Sequence, residues 1–106
     1  MKYAITSQGK SLEARIDSHF GRCKYIVIYD RETLGWEFIP NPFEQLDEGV
    51  GPMMVEMLHK KGISKVISGS FGIKIKELMD SKHMQMIIPQ NDEITVSTVI
   101  EMIDNS

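Results

Sequence analysis

The stretch YIVIYD, residues 25–30, constrains the fold of this 106-residue chain more than any other feature. It is a nearly unbroken apolar run that ends in Asp30. A run of this kind predicts a β-strand that is buried on both of its faces. We therefore expect a sheet that carries other elements of the chain on both sides.

Two further strands are predicted in the first half of the chain. The short, β-prone stretch KYAIT occupies residues 2–6. After the buried strand, a hairpin turn leads into a third strand near residues 36–39, which Pro40 and Pro42 stop. The chain is therefore expected to begin with three strands.

A strand–helix–strand unit is predicted in the middle of the chain. Pro52 suits the first turn of a helix, and Gly62 suits the residue just past its end. The stretch KVISG, residues 65–69, follows as a short buried strand. A unit of this length implies a crossover between parallel strands.

The last third of the chain alternates helix and strand. GIKIKELMDSK (72–82) predicts a helix, MQMIIP (84–89) a fifth strand, and TVSTVIEMIDN (95–105) a last helix with Thr95 as its N-cap. The complete order is βββαβαβα. We therefore predict an α/β fold in one domain over residues 1–106, with helices packed on a five-stranded mixed sheet.

Composition and charge narrow the range of possible partners. Twelve basic residues against fifteen acidic ones give a net charge of −3, which argues against broad binding to nucleic acid or to anionic membranes. No stretch approaches the roughly 20 apolar residues that span a bilayer. The N-terminus lacks the apolar run of a signal peptide, and a single cysteine cannot form an internal disulfide. A cytoplasmic location is expected.

The stretch DSHFGRCKY, residues 17–25, holds the first candidate site. His19 could ligate a metal or a cluster, because imidazole is the commonest protein metal ligand, or it could hydrogen-bond the loop backbone. Asp17 could orient His19 or cap the loop. The residues alone leave these alternatives open.

Cys23, the only cysteine, follows four residues after His19 between two cations. Neighbouring positive charge would favour its thiolate, a soft-metal ligand, but a small apolar residue at the start of a strand is the other interpretation. His19 and Cys23 cannot form a structural zinc site alone, because such a site needs four ligands. A preassembled metal–sulfur cluster brings its own sulfides, so one or two protein ligands could hold it.

Two glycine-rich stretches could contribute backbone N–H groups to the same site. GVGP (49–52) leads into the first helix, where an anion could bind or where the glycines could form a flexible turn. SGSFG (68–72) follows the fourth strand, and ligands bind at the carboxyl ends of parallel strands. Neither stretch is a P-loop or a serine-hydrolase elbow, and no acid–base pair stands out. We therefore expect no enzymatic activity.

Taken together, ARIDSHFGRCKYIVIYD and EGVGPMMVEMLHKKGISKVISGSFG resemble the two signatures of the dinitrogenase iron–molybdenum cofactor biosynthesis family. That family includes NifX-type carriers, the C-terminal domain of NifB, the nitrogenase accessory factor core and orange-protein relatives. The resemblance covers nearly the whole chain. It implies a ribonuclease H-like, three-layer fold and transient binding of iron–sulfur, molybdenum–sulfur or iron–molybdenum clusters without catalysis.

The resemblance also assigns the site. It implies that His19 is the cluster ligand and that the cleft is lined by five further residues: Arg22, Gly49, Gly51, Gly69 and Gly72. Cys23 would be a possible second ligand, although many family members have a small residue there. Family members also usually continue the loop after the fourth strand as Gly-Pro, where this chain has Gly72-Ile73.

Two functions are carried forward from the sequence. The first is a carrier of a metal–sulfur cluster that works with cluster donor and acceptor proteins, as a monomer or weak homodimer. The second is a metal-free interaction or regulatory module that uses Trp36, Phe38 and Phe43 as a contact surface.

Overall fold

The computed structural model describes residues 1–106 and contains five strands and three helices. In chain order they are β1 (Lys2–Ser7), β2 (Tyr25–Asp30), β3 (Gly35–Pro40), α1 (Val50–Lys60), β4 (Ile63–Ile67), α2 (Ile73–Ser81), β5 (Gln85–Ile87) and α3 (Val96–Asp104). The predicted order βββαβαβα is confirmed. Helix α1 begins two residues before Pro52, and β4 begins two residues earlier than predicted.

The five strands form one mixed sheet in the order β3-β2-β1-β4-β5. Strand β2 pairs antiparallel with both β1 and β3, whereas β4 pairs parallel with both β1 and β5. Four strands therefore end at the same side of the sheet, where β2 begins. We call this side the carboxyl edge. All three helices also begin there, since each follows a strand that ends there.

Helices cover both faces of the sheet, and each face has its own core. Side chains alternate along β2, so that Ile26 enters the core on one face and Val27 the core on the other. We call the core that contains Ile26 the first core and the core that contains Val27 the second core. Helices α1 and α2 pack on the first face, for example through Leu58 and Met79. Helix α3 packs alone on the second face. The prediction that YIVIYD is buried on both faces is confirmed, as is the three-layer arrangement.

The methionines mostly fill the first core. Met54, Met79 and Met84 are buried among the residues of α1, α2 and the central strands. Their flexible side chains suit the irregular space between two helices and a twisted sheet. Met53 and Met102, in contrast, are exposed.

Helix α3 is anchored at both ends. The Thr95 hydroxyl accepts a hydrogen bond from the Thr98 N–H at 3.3 Å, so Thr95 is the predicted N-cap. At the other end the Tyr29 hydroxyl donates to the Asp104 carboxylate. None of the three helices has the length and hydropathy required to cross a membrane.

Replacing Thr95 by Ala should lower the free energy of unfolding by about 1 kcal/mol, because an orphan N–H at the start of α3 loses its acceptor. Urea denaturation followed by circular dichroism measures the change. Thr95→Ser keeps the hydroxyl and should remain within a few tenths of a kcal/mol of the parent. Equal losses in both variants would contradict a capping role.

Candidate functional site

Three connecting loops meet at the carboxyl edge of the sheet. Residues 8–24 join β1 to β2, residues 41–49 join β3 to α1, and residues 68–72 join β4 to α2. The first loop contains the His-Phe-Gly motif, and the other two lead into the glycine-rich helix starts. The topology therefore brings together the three stretches that the sequence singled out.

The main-chain oxygen of Asp17 fixes the first loop to the centre of the sheet. It accepts hydrogen bonds from the Thr6 hydroxyl at 2.8 Å, the Gly69 N–H at 3.0 Å and the Ser68 hydroxyl at 3.3 Å. Thr6 belongs to β1, and the other two donors follow β4. One carbonyl thus ties together the ends of the two central parallel strands and the loop that carries His19. Sequence reasoning did not identify this role for Asp17.

The His19 side chain projects outward from this fixed loop and is 73% exposed. Its backbone N–H donates to the Asp17 carboxylate at 2.9 Å. The ring Nδ1 lies 3.1 Å from the Ser18 hydroxyl and 3.4 Å from the Asp17 carboxylate. When Nδ1 carries the proton it can donate to either oxygen, and Nε2 then presents its lone pair to a ligand.

Cys23 lies on the opposite side of the loop from His19, fully buried in the first core. Burial, followed by the negative charge of Asp17, raises the pKa of its thiol to about 12. Of the two interpretations from sequence, the structure agrees with a small buried residue ahead of the strand, and burial opposes the thiolate. The flanking side chains of Arg22 and Lys24 point to solvent, while the thiol donates weakly to the Phe20 carbonyl at 3.6 Å.

Asn41 is a positioning residue that the sequence analysis missed. Its buried side-chain amide donates to the carbonyls of Gly21 and Cys23, both at 2.9 Å. Its side-chain oxygen accepts the Phe43 N–H at 2.9 Å. It therefore holds the loop of residues 8–24, which we call the His19 loop, to the loop of residues 41–49. The only signal in the sequence is an Asn between two prolines, which is too common a turn pattern to reveal this contact.

Arg22 is held by main-chain oxygens. Its guanidinium donates to the carbonyls of Glu44 at 2.9 Å, Asp47 at 3.1 Å and also Leu46. The side chain is exposed but fastens the segment that leads into α1. These hydrogen bonds fix the guanidinium beside residues 44–47, where it adds positive charge to the carboxyl edge.

The glycines predicted to line the cleft allow the three loops to approach one another. A Cβ on Gly69 would lie 2.6 Å from the Ser18 Cα, and one on Gly51 would lie 2.4 Å from the Ile75 side chain. Gly21 packs against the backbone of Gly51 in the same way. Gly69 is therefore needed for the contact with the backbone of Ser18, whereas at Gly51 the added Cβ would meet the movable end of a side chain.

The remaining two predicted glycines mark the starts of helices. Gly49 precedes α1 with a φ of 76°, a left-handed conformation that favours glycine, and Gly72 precedes α2 with an extended backbone. Neither helix start receives a hydrogen bond from a side chain. Their free N–H groups and positive dipole ends therefore face the carboxyl edge.

This arrangement restricts what the site can bind. No three His, Cys, Asp or Glu side chains come close enough together to hold a metal ion. The edge offers one exposed imidazole, backbone N–H groups and hydroxyls. Such a set of donors suits a preassembled anionic group that needs few protein ligands.

Comparison with known proteins identifies relatives over the whole chain. The model of the family described as dinitrogenase iron-molybdenum cofactor matches residues 1–105. Among solved structures, the apo form of the orange protein from Desulfovibrio gigas is similar with a TM-score of 0.86 and 23% identity, over 98% of this chain and 87% of that one. No curated protein matches the chain.

A second similar structure is that of a NifB-like protein of the DUF35 family from Thermotoga. Its TM-score is 0.80 and its identity 27%, over 99% of this chain and 88% of that one. These comparisons agree with the fold and the family resemblance seen in the sequence. They relate the chain to proteins of nitrogenase cofactor biosynthesis.

Gly69→Ala should displace the His19 loop, because the new Cβ would meet the Ser18 backbone at 2.6 Å. We expect a loss of about 1–3 kcal/mol in unfolding free energy and changed amide NMR shifts over residues 17–24. Gly9→Ala is the control, since its Cβ would make only an ordinary contact at 3.6 Å. Unchanged amide shifts in Gly69→Ala would refute the close approach.

The Cys23 thiol should resist an aromatic disulfide reagent at about pH 8 in the folded protein. With a pKa raised from 9.0 to about 12, its thiolate fraction falls by about three orders of magnitude, and burial slows the reaction further. The rate should rise about tenfold per pH unit, since the thiol stays mostly protonated below its folded pKa. The urea-unfolded chain is the control, and similar rates in both states would contradict this assignment.

Proposed function

The chain belongs to the dinitrogenase iron-molybdenum cofactor family, and from that premise we propose that it is a non-catalytic carrier of an anionic metal–sulfur cluster. The cluster would bind at the carboxyl edge, between the His19 loop and the starts of α1 and α2. The observation that carries this proposal is the exposed His19 imidazole on a loop that the Asp17 carbonyl fixes to the sheet.

The donor set supports a cluster over a single metal ion as the cargo. A bare ion would need several side-chain ligands, and no group of three is available. A metal–sulfur cluster already has its metals coordinated by sulfide. His19 would supply one ligand through Nε2, and backbone N–H groups near Gly49, Gly51 and Gly72 would face the sulfides.

Arg22 and Gly69 contribute to the proposed site indirectly. The guanidinium of Arg22 adds positive charge while it holds the segment before α1. Gly69 lets the loop after β4 contact Ser18, which sets the position of His19. We assign Cys23 to packing and leave it out of the ligand set, because its thiol is buried and protonated at neutral pH.

The hydroxyl groups of Ser68 and Ser70 hold the backbone at this edge. The Ser68 hydroxyl lies within hydrogen-bond distance of the carbonyls of Asp17 and Ser70, and the Ser70 hydroxyl donates to the Ser18 carbonyl. The Ser68 and Ser70 hydroxyls are thus engaged with the backbone, and neither has a histidine as a general base. The Ser18 hydroxyl does lie 3.1 Å from His19 Nδ1, which is the ring nitrogen that also faces the Asp17 carboxylate. In this proposal, cluster donor proteins would deliver the cluster to the chain and acceptor proteins would remove it. The cytoplasmic location and the monomeric or weakly dimeric state stay predictions from sequence.

The alternative, a metal-free interaction module, finds less support in the structure. Trp36 is 50% exposed, but Phe38 and Phe43 pack against the two different cores on opposite faces of the sheet. The three aromatic residues therefore do not form one contact surface. The carrier remains the function that the geometry favours.

His19→Ala should weaken cluster binding about tenfold or more, because it removes the only side-chain ligand proposed. The test adds an iron–sulfur cluster or tetrathiomolybdate to protein purified without oxygen and follows charge-transfer absorbance together with amide NMR shifts. The shifts should map to residues 17–24 and to the starts of α1 and α2.

His59→Ala is the matched control, since His59 is an exposed histidine on α1 away from this edge, and it should bind like the parent. If His19→Ala binds as tightly as the parent, the imidazole is not the ligand. If neither probe changes the amide spectrum around residues 17–24, the carrier proposal itself fails.

A further inference from the structure

The face of the sheet opposite α1 and α2 is only partly covered. Helix α3 packs there alone, and its residues Val99 and Ile103 share the second core with Val27. A groove of about 220 Å³ remains between α3 and the strands β4 and β5. We call it the α3 groove. It lies away from the loops that carry the proposed cluster site.

Apolar side chains form most of the α3 groove. Ile67 and Ile87 pair in register on neighbouring strands and form its floor, and Val99 and Met102 of α3 line the other side. Engineered apolar cavities of roughly 150 Å³ bind benzene, so this volume suits a ligand of on the order of ten non-hydrogen atoms. Met102 is 58% exposed, which leaves the groove open to solvent.

Lys65 carries the one charged side chain of the groove. Lys65 of β4 pairs with Tyr3 of the neighbouring strand β1, so both side chains lie on the same face of the sheet. It forms none of the ion pairs of the protein, and its ammonium lies 5.7 Å from the centre of the Tyr3 ring. No carboxylate of the protein pairs with this ammonium, so it is available to pair with a bound anion.

The charge lies at one end of the groove. Lys65 precedes Ile67 along β4, and Ser106 beyond the end of α3 lines the same end, whereas Pro89 and Ile94 lie toward the carboxyl edge. The groove thus offers a cationic end and an apolar end. This polarity matches a molecule with a short hydrocarbon chain and a single anionic head.

We propose that the α3 groove binds a small amphiphilic carboxylate, with its carboxylate at Lys65 and its hydrocarbon chain over Ile67 and Ile87 toward Ile94. Charge complementarity and volume select this class over a neutral apolar molecule or a highly charged one. The proposal is independent of the cluster site, because it uses neither His19 nor any residue of the three loops proposed to hold the cluster.

The test titrates the protein with octanoate and, in parallel, with the neutral alcohol 1-octanol, below the concentrations at which either aggregates. Methyl NMR shifts of Ile67, Ile87 and Ile103 report occupancy of the groove. Lys65→Met should weaken octanoate binding about fivefold or more and leave octanol binding within about twofold. Lys2→Met is the control, since Lys2 is an exposed lysine on the neighbouring strand and should have no effect.

Met102→Trp provides a second variant at an exposed position, and it should weaken both ligands by occupying the groove. An amide spectrum like that of the parent verifies that each variant is folded. Absence of methyl shifts with octanoate, or shifts confined to residues 17–24, would overturn the site. Octanoate binding that is equally strong in Lys65→Met would overturn the assignment to carboxylates.

Discussion

The main-chain oxygen of Asp17 is the contact on which the geometry of the candidate site depends. Thr6 and Ser68, two of its three donors, are almost fully buried, so each needs an internal partner for its hydroxyl. Because both hydroxyls bond to the Asp17 carbonyl, the His19 loop lies against the ends of β1 and β4. The buried side-chain polar atoms of the structure all have partners, which makes this network costly to disrupt.

The same constraint explains why His19 and Cys23 have different roles although only four residues separate them. Once the loop is fixed at Asp17, its side chains divide between solvent and core. His19 and Arg22 face outward, whereas Phe20 and Cys23 enter the first core, and Phe20 packs with Phe71 at a ring separation of 5.3 Å. Hydrogen bonds to the Asp17 carbonyl and the apolar packing of Phe20 and Cys23 thus hold the loop together.

The sequence predicted the features that depend on local pattern. The apolar run at residues 25–30, the N-cap at Thr95 and the glycine-rich helix starts are signals that neighbouring residues produce by themselves. It could not predict the features that depend on distant contacts. The cations beside Cys23 suggested a thiolate, but whether a side chain enters the core is decided by loops that meet only in the folded chain. The partners of Arg22 and Asn41 lie about 20 residues away for the same reason.

Strand β4 connects the two sites while keeping them separate. Its middle residue, Lys65, lies in the α3 groove, and Ser68 and Gly69 follow its end and hold the Asp17 carbonyl. Side chains alternate along a strand, so a substitution at Lys65 changes the charge of the groove without touching the backbone donors at the carboxyl edge. An effect of Lys65→Met on cluster binding would therefore have to pass through the backbone of β4, which the sheet pairs on both sides. The cluster proposal and the carboxylate proposal can therefore be tested independently, although both sites use residues of β4 or of the loop that follows it.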